Sequence, residues 1–77
     1  MTKEELVKHI QNNGCKSSPV EGINITGWQV KFENKSNPNN YAYIDMPIND
    51  KHVPDYVVRQ TCKLLQIPIP HNIEAID

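Results

Sequence analysis

The sequence predicts a single small α+β domain in the order helix–strand–strand–strand–helix, a two-layer α-β-β-β-α sandwich. Apolar residues recur at helical spacing in the opening and closing segments, while apolar and polar residues alternate in the segments between them. A run of turn-forming residues, 34–40, separates the two strongest strands. We therefore expect one three-stranded antiparallel sheet with both helices on one face. Residues 1–70 should form the domain, with residues 71–77 as a loosely attached tail.

The first helix is predicted over residues 3–13. Thr2 followed by Glu5 is a capping-box pattern, in which each side chain satisfies a backbone N–H group at the start of a helix. Gly14 suits the left-handed position that follows a helix. The apolar face should come from Leu6, Val7 and Ile10.

The strands are predicted over residues 16–19, 25–33 and 41–46. Pro19 marks the first as an edge strand, because proline cannot donate to a central ladder, and Gly22 marks the turn after it. In the second strand, Trp28, Val30 and Phe32 should face the core. In the third, Ala42, Ile44 and Met46 should face the helices, and Tyr41, Tyr43 and Asp45 the open face.

The second helix should begin near Pro54, whose fixed φ suits the first helical position. Its apolar face should consist of Val57, Val58, Thr61, Cys62, Leu64 and Leu65. Pro68 and Pro70 prevent it from continuing further.

Composition limits the classes of function. Eight basic residues against nine acidic ones give a net charge of −1, whereas a dedicated nucleic-acid binder is usually clearly basic. The sequence contains no apolar run long enough to span a membrane and no signal-peptide pattern, which favours a cytoplasmic protein without membrane contact. The cysteines Cys15 and Cys62 are expected to be small buried apolar residues.

No pattern for a metal, a cofactor or a nucleophile is present. The three histidines, His9, His52 and His71, lack the spacing of metal ligands, and the cysteines form no CxxC motif. His52 is the one weak candidate for a catalytic base, because the loop before the second helix could bring it to the open sheet face beside Gln29 and Tyr43. No carboxylate partner for it can be named.

A nucleic-acid-binding surface is a second possibility. Tyrosines interleaved with polar side chains on an open sheet can stack bases, and a basic strip along the second helix could contact phosphates. The candidates are Gln29, Lys31, Tyr41, Tyr43, Lys51, Arg59 and Lys63. Ordinary cross-strand pairing of half-exposed tyrosines and a solvated helix face explain the same residues.

Several segments together resemble the HicA (YcfA-like) family of small toxin ribonucleases. They are Asn13-Gly14, residues 27–32, Ile44-Asp45-Met46-Pro47, Val53-Pro54 and residues 63–67. The resemblance implies a fold like that of the double-stranded-RNA-binding domain, and an RNA or an antitoxin-type protein as partner.

One departure from that family bears on chemistry. The family carries Gly-Ser-His at the start of its second strand, with the histidine catalytic, whereas this chain has Gly27-Trp28-Gln29. A glutamine amide cannot exchange a proton near neutral pH. The first hypothesis is therefore a catalytically silent HicA-like domain that binds RNA or an antitoxin-type protein. The alternatives are an active ribonuclease using His52, and a plain protein-interaction module, homodimeric through a sheet edge.

Overall fold

The computed structural model describes residues 1–20 and 27–73 of the chain. Its elements are α1 (Lys3–Asn12), β1 (Cys15–Pro19), β2 (Gly27–Asn34), β3 (Tyr41–Pro47) and α2 (Asp55–Leu65). The predicted order is confirmed. The turn at Gly22 and the start of the second strand at Ile25 lie outside the described residues.

The three strands form one antiparallel sheet in the order β1-β2-β3. α1 packs against β1, and α2 packs against β3 and less extensively against β2. Both helices cover the same face, because their apolar side chains share one core with alternate residues of the strands. That core contains Leu6, Ile10, Cys15, Val30, Phe32, Ala42, Ile44, Val53, Val58, Cys62, Leu65 and Ile73.

The start of α1 has the predicted capping box. Thr2 Oγ1 accepts the Glu5 backbone N–H at 3.1 Å, and Glu5 Oε1 accepts the Thr2 backbone N–H at 2.8 Å. The backbone and side-chain hydrogen bonds with Thr2 lower the pKa of the Glu5 carboxyl. At the other end, Gly14 has a φ of +80°, the left-handed conformation that glycine adopts without strain.

α2 begins beside Pro54 and stops before Pro68, as predicted, but it differs from the prediction in its caps and on one face. Pro54 is the N-cap rather than the first helical residue, and the helix ends at Leu65 because Gln66 adopts a left-handed conformation with a φ of 60°. Leu64 was expected in the core but is 50% exposed. The core positions of α2 are 58, 61, 62 and 65, and residue 64 lies outside that stripe because each residue turns the helix by about 100°.

The chain remains packed beyond α2. Ile73 is buried in the core, and its N–H donates to the Pro70 carbonyl at 3.1 Å. The packed domain therefore reaches at least Ile73, beyond the boundary that the sequence predicted at residue 70.

Cys15 and Cys62 are buried as expected. Burial, with a smaller effect of Cys15, raises the pKa of the Cys62 thiol to about 11.

Lys3 is a buried cation that the sequence did not reveal. It is 9% exposed, and its ammonium group donates to the carbonyl oxygens of Pro47 and Ile48, both at 3.1 Å. The same group lies 5.1 Å from the centroid of the Trp28 ring. One side chain therefore joins the first turn of α1 to the end of β3 and to β2.

Candidate interaction surface

The sheet face opposite the helices is open, and the strand register defines its rows of side chains. Lys31 lies between Ser18 and Tyr43, and Glu33 lies between Lys16 and Tyr41. Gln29 lies opposite Asp45. The structure thus brings together four predicted site residues, Gln29, Lys31, Tyr41 and Tyr43.

Lys31 and the two tyrosines form the most distinctive group on this face. The Lys31 ammonium lies 5.3 Å from the Tyr41 ring centroid and 5.7 Å from the Tyr43 centroid. The rings meet edge to face, with centroids 5.7 Å apart and planes at 81°. These are favourable cation–π and aromatic geometries, each contributing about 0.5–1 kcal/mol at an exposed site. The tyrosines are therefore ordered by contacts within the sheet itself.

The open face carries balanced charge. Glu33 Oε1 lies 3.7 Å from Lys16 Nζ and 3.9 Å from Lys31 Nζ. Asp45 adds a second carboxylate and accepts a long hydrogen bond from Gln29 Nε2 at 3.4 Å. Because each lysine is offset by a nearby acid, this face lacks the positive potential that neutralises phosphates.

His52 does not join this group. The backbone of His52 forms an isolated antiparallel bridge with Thr2, at the beginning of α1. The electrostatic effect of His52 is a minor contribution to the lowered pKa of the nearby Glu5 carboxyl. The histidine thus belongs to the helix-layer end of the domain, whereas Gln29 and Tyr43 point from the opposite face of the sheet. The structure therefore does not place His52 beside Gln29, where the sequence analysis considered it as a catalytic base.

Of the three basic residues predicted to form a strip, Arg59 and Lys63 lie one helical turn apart on α2, whereas Lys51 lies outside the helix. Lys51 precedes α2 and accepts the Lys3 backbone N–H at 3.2 Å, so it lies by the start of α1. Arg59 is half-buried in the middle of α2, and Lys63 is exposed near its end. Lys63 alone borders the same cleft as Tyr41 and Tyr43.

The outer edge of β3 is the second notable feature. Antiparallel strands alternate between residues whose backbone groups point to the neighbouring strand and residues whose groups point away. The Asn34 N–H donates to the Asn40 carbonyl at 3.0 Å, which directs residues 40, 42, 44 and 46 toward β2. The N–H and C=O groups of Tyr41, Tyr43 and Asp45 therefore point outward, where no described residue pairs with them.

Two adjoining clefts run along this edge, between β3 and α2. One is bordered by residues 39–43 together with Lys63, Leu64 and Gln66, and the other by residues 43–47 together with Tyr56, Val57 and Gln60. We call the outward edge of β3 with Tyr56, Gln60 and Leu64 of α2 the β3-edge surface. Its large apolar side chains are exposed: Tyr41 by 47%, Tyr43 by 58%, Tyr56 by 64% and Leu64 by 50%.

Sequence reasoning missed the β3-edge surface, although part of its signal was present. Tyr56, Gln60 and Leu64 are spaced i, i+4, i+8 and so form one stripe of α2 beside the core stripe. The apolar pattern predicted that Leu64 lies in the core, because Leu64 is next to Leu65 in the sequence. The position of β3 at an edge of the sheet depends on the strand order, which periodicity does not determine.

Comparisons with known proteins add no family. No protein-family model matches the chain, and no curated protein or solved structure gives a significant match. The resemblance to HicA proteins therefore stays a prediction.

Within residues 1–20 and 27–73, no cluster of His, Cys, Asp or Glu could hold a metal ion. No helix in the described part of the chain has the length and apolarity to cross a bilayer.

Proposed function

We propose that this chain is a non-catalytic protein-binding domain that takes up an extended segment of a partner as a fourth strand beside β3. The observation that carries the proposal is the outward row of backbone groups at Tyr41, Tyr43 and Asp45, with exposed apolar side chains on both sides of it. Backbone hydrogen bonds to such an edge provide affinity, and the flanking side chains provide specificity. An antitoxin-type partner that contributes such a strand fits this surface.

The opposite edge of the sheet is less suited to this role. β1 has five residues, and by the same alternation its outward positions are Cys15, Ser17 and Pro19. Pro19 has no N–H to donate, and edge prolines commonly protect a sheet against added strands. β3 has seven residues, and its only proline, Pro47, lies at the end. An added strand therefore finds a longer row of donors and acceptors at β3.

Burial of the flanking side chains adds to the affinity that the backbone hydrogen bonds provide. Apolar surface removed from water contributes about 25 cal/mol per Å². The four exposed residues Tyr41, Tyr43, Tyr56 and Leu64 lie on both layers of the domain, so an added strand can contact them with both of its faces. A partner segment with alternating apolar residues is the chemistry that this surface selects.

The experiment is a selection of twelve-residue peptides from a random display library against the immobilised domain, followed by NMR of the complex. We expect selected peptides with alternating apolar residues, and slowed hydrogen exchange at the amides of Tyr41, Tyr43 and Asp45. Tyr43→Lys should weaken binding at least about tenfold, since it removes a central contact residue. Ser18→Lys is the matched control, because residues 18 and 43 both lie directly opposite Lys31 on the open face.

Selected peptides that bind the Tyr43→Lys domain as tightly as the Ser18→Lys domain would contradict the proposal. So would peptides that shift the resonances of β1 and leave those of β3 and α2 unchanged.

RNA binding is the second candidate, and the Lys31–tyrosine group is the observation that favours it. A single-stranded RNA pool at low salt should then shift the resonances of Gln29, Lys31, Tyr41 and Tyr43. The affinity should fall steeply with added salt. An unchanged spectrum in this titration would leave the protein partner as the function.

A further inference from the structure

We infer that the strand accepted by the β3 edge is β3 of a second copy of this chain, so that the two sheets join into one of six strands. This inference rests on the proposed function and names the partner. It follows from the positions of the exposed groups, which are symmetric about one point on β3 and about one point on α2.

The backbone groups match themselves across a twofold axis. The outward residues Tyr41, Tyr43 and Asp45 are evenly spaced about Tyr43. If β3 pairs antiparallel with its own copy about an axis at Tyr43, each Tyr43 faces the other, and each Tyr41 faces the Asp45 of the other copy. All three positions then form hydrogen-bonded pairs, which gives about six backbone hydrogen bonds. A two-residue slip along the strand would leave outward donors without partners.

The side chains on the open face agree with this register. Residues directly opposite on paired strands have Cβ atoms about 4.5–5.5 Å apart. The Tyr41 hydroxyl of one copy can therefore donate to the Asp45 carboxylate of the other, which among the described residues of its own chain accepts the long bond from Gln29. The same register brings the Asp45 carboxylate toward the Lys31 ammonium, which already leans over Tyr41. Opposite charges thus approach each other across the axis.

The helix layer fits the same axis. α2 runs antiparallel to β3, since its first half borders residues 43–47 and its last turn borders residues 39–43. Gln60 is the middle of the exposed stripe, so Tyr56 of each copy would face Leu64 of the other. α2 packs on β3 and less extensively on β2. With strands about 4.8 Å apart, two helices that are each centred between β3 and β2 would have axes about 9–10 Å apart, which is normal helix packing.

The test measures the mass of the full chain by sedimentation equilibrium from about 1 µM to 1 mM. We expect the mass to rise from that of the 8.8 kDa monomer to twice that value. Tyr43→Lys places two ammonium groups at the axis and should weaken dimerisation at least about tenfold. Ser18→Lys introduces the same charge beside Lys31 away from the axis and should leave the dimer unchanged. Circular dichroism of both variants shows whether each is folded.

A cysteine pair gives a second, independent readout. In the proposed register the Cα atoms of the two Tyr43 residues lie about 5.5 Å apart, within the range that a disulfide spans. Tyr43→Cys should therefore form a covalent dimer under mild oxidation, whereas Ser18→Cys should not. The native Cys15 and Cys62 are buried and should not interfere.

A strictly monomeric mass up to 1 mM would overturn this inference, as would a dimer that Tyr43→Lys leaves intact. The proposed function would survive the monomeric outcome if selected peptides still protected the β3 amides from exchange. A monomer that also binds no strand would contradict both.

Discussion

Replacing Lys3 by methionine tests whether a buried ammonium group fastens α1 to the sheet. Methionine keeps most of the apolar stem and removes the charge, so the carbonyl oxygens of Pro47 and Ile48 lose their donor. Two hydrogen bonds at 3.1 Å contribute about 1 kcal/mol each, and the contact with Trp28 adds about 0.5–1 kcal/mol. A cation in the first turn of a helix interacts unfavourably with the helix dipole, so its removal should raise the free energy of unfolding by about 0.3–1 kcal/mol. The free energy of unfolding should therefore fall by about 2 kcal/mol.

Urea denaturation measures this change, and Lys8→Met is the matched control. Lys8 lies on the same helix but is exposed, so its replacement should change the free energy of unfolding by less than about 0.5 kcal/mol. The dependence on urea should keep the same slope in both variants, because the surface exposed on unfolding is unchanged. Equal stabilities of the two variants would show that the Lys3 ammonium contributes nothing, and the reasoning from its contacts would be refuted.

Three further predictions concern the ends of α1 and the buried thiols. Thr2→Ala removes the cap and should lower the free energy of unfolding by about 1 kcal/mol; Thr2→Ser, which keeps the hydroxyl, should not. Gly14→Ala should cost about 1 kcal/mol because of the positive φ, although its Cβ would meet no atom within 4 Å, and Gly14→Asn should cost less. Burial raises the pKa of Cys62 from 9.0 to about 11, so the unfolded chain ionises first. The free energy of unfolding should therefore keep its full value below pH 9 and fall by up to roughly 2–3 kcal/mol as the pH rises to 11. In the Cys62→Ala variant the free energy of unfolding should depend less on pH over this range.

The sequence predicted the elements well because each has a local cause. The capping box at Thr2 and Glu5 fixed the start of α1, and alternation fixed which side chains of β2 and β3 reach the core. The end of α2 was predicted less well. Gln66 is not a glycine, yet it holds the left-handed position, and the Asn34 amide donates to the neighbouring Leu65 carbonyl at 2.9 Å. That contact joins residues distant in sequence, which no local pattern reveals.

The candidate site was predicted only in part, for a similar reason. The open-face group of Gln29, Lys31, Tyr41 and Tyr43 follows from alternation once β2 and β3 pair, and the structure brings these residues together. The basic strip was inferred from spacing along one helix, but Lys51 is held near α1 by tertiary contact. The β3-edge surface depends on strand order, which is a property of the whole fold.

Tyr41 and Tyr43 belong to both candidate surfaces, and their contacts favour one use over the other. Stacking a base requires an accessible ring face, and in this structure the Lys31 ammonium lies against both rings. Pairing with a strand requires only the outward backbone groups and the exposed sides of the rings. The contacts with Lys31 do not cover these groups. A partner strand can therefore bind without breaking any contact on the open face, whereas a base that stacks on the ring face beneath Lys31 must displace the ammonium. The arrangement of the two tyrosines thus supports a protein strand as the partner of this domain.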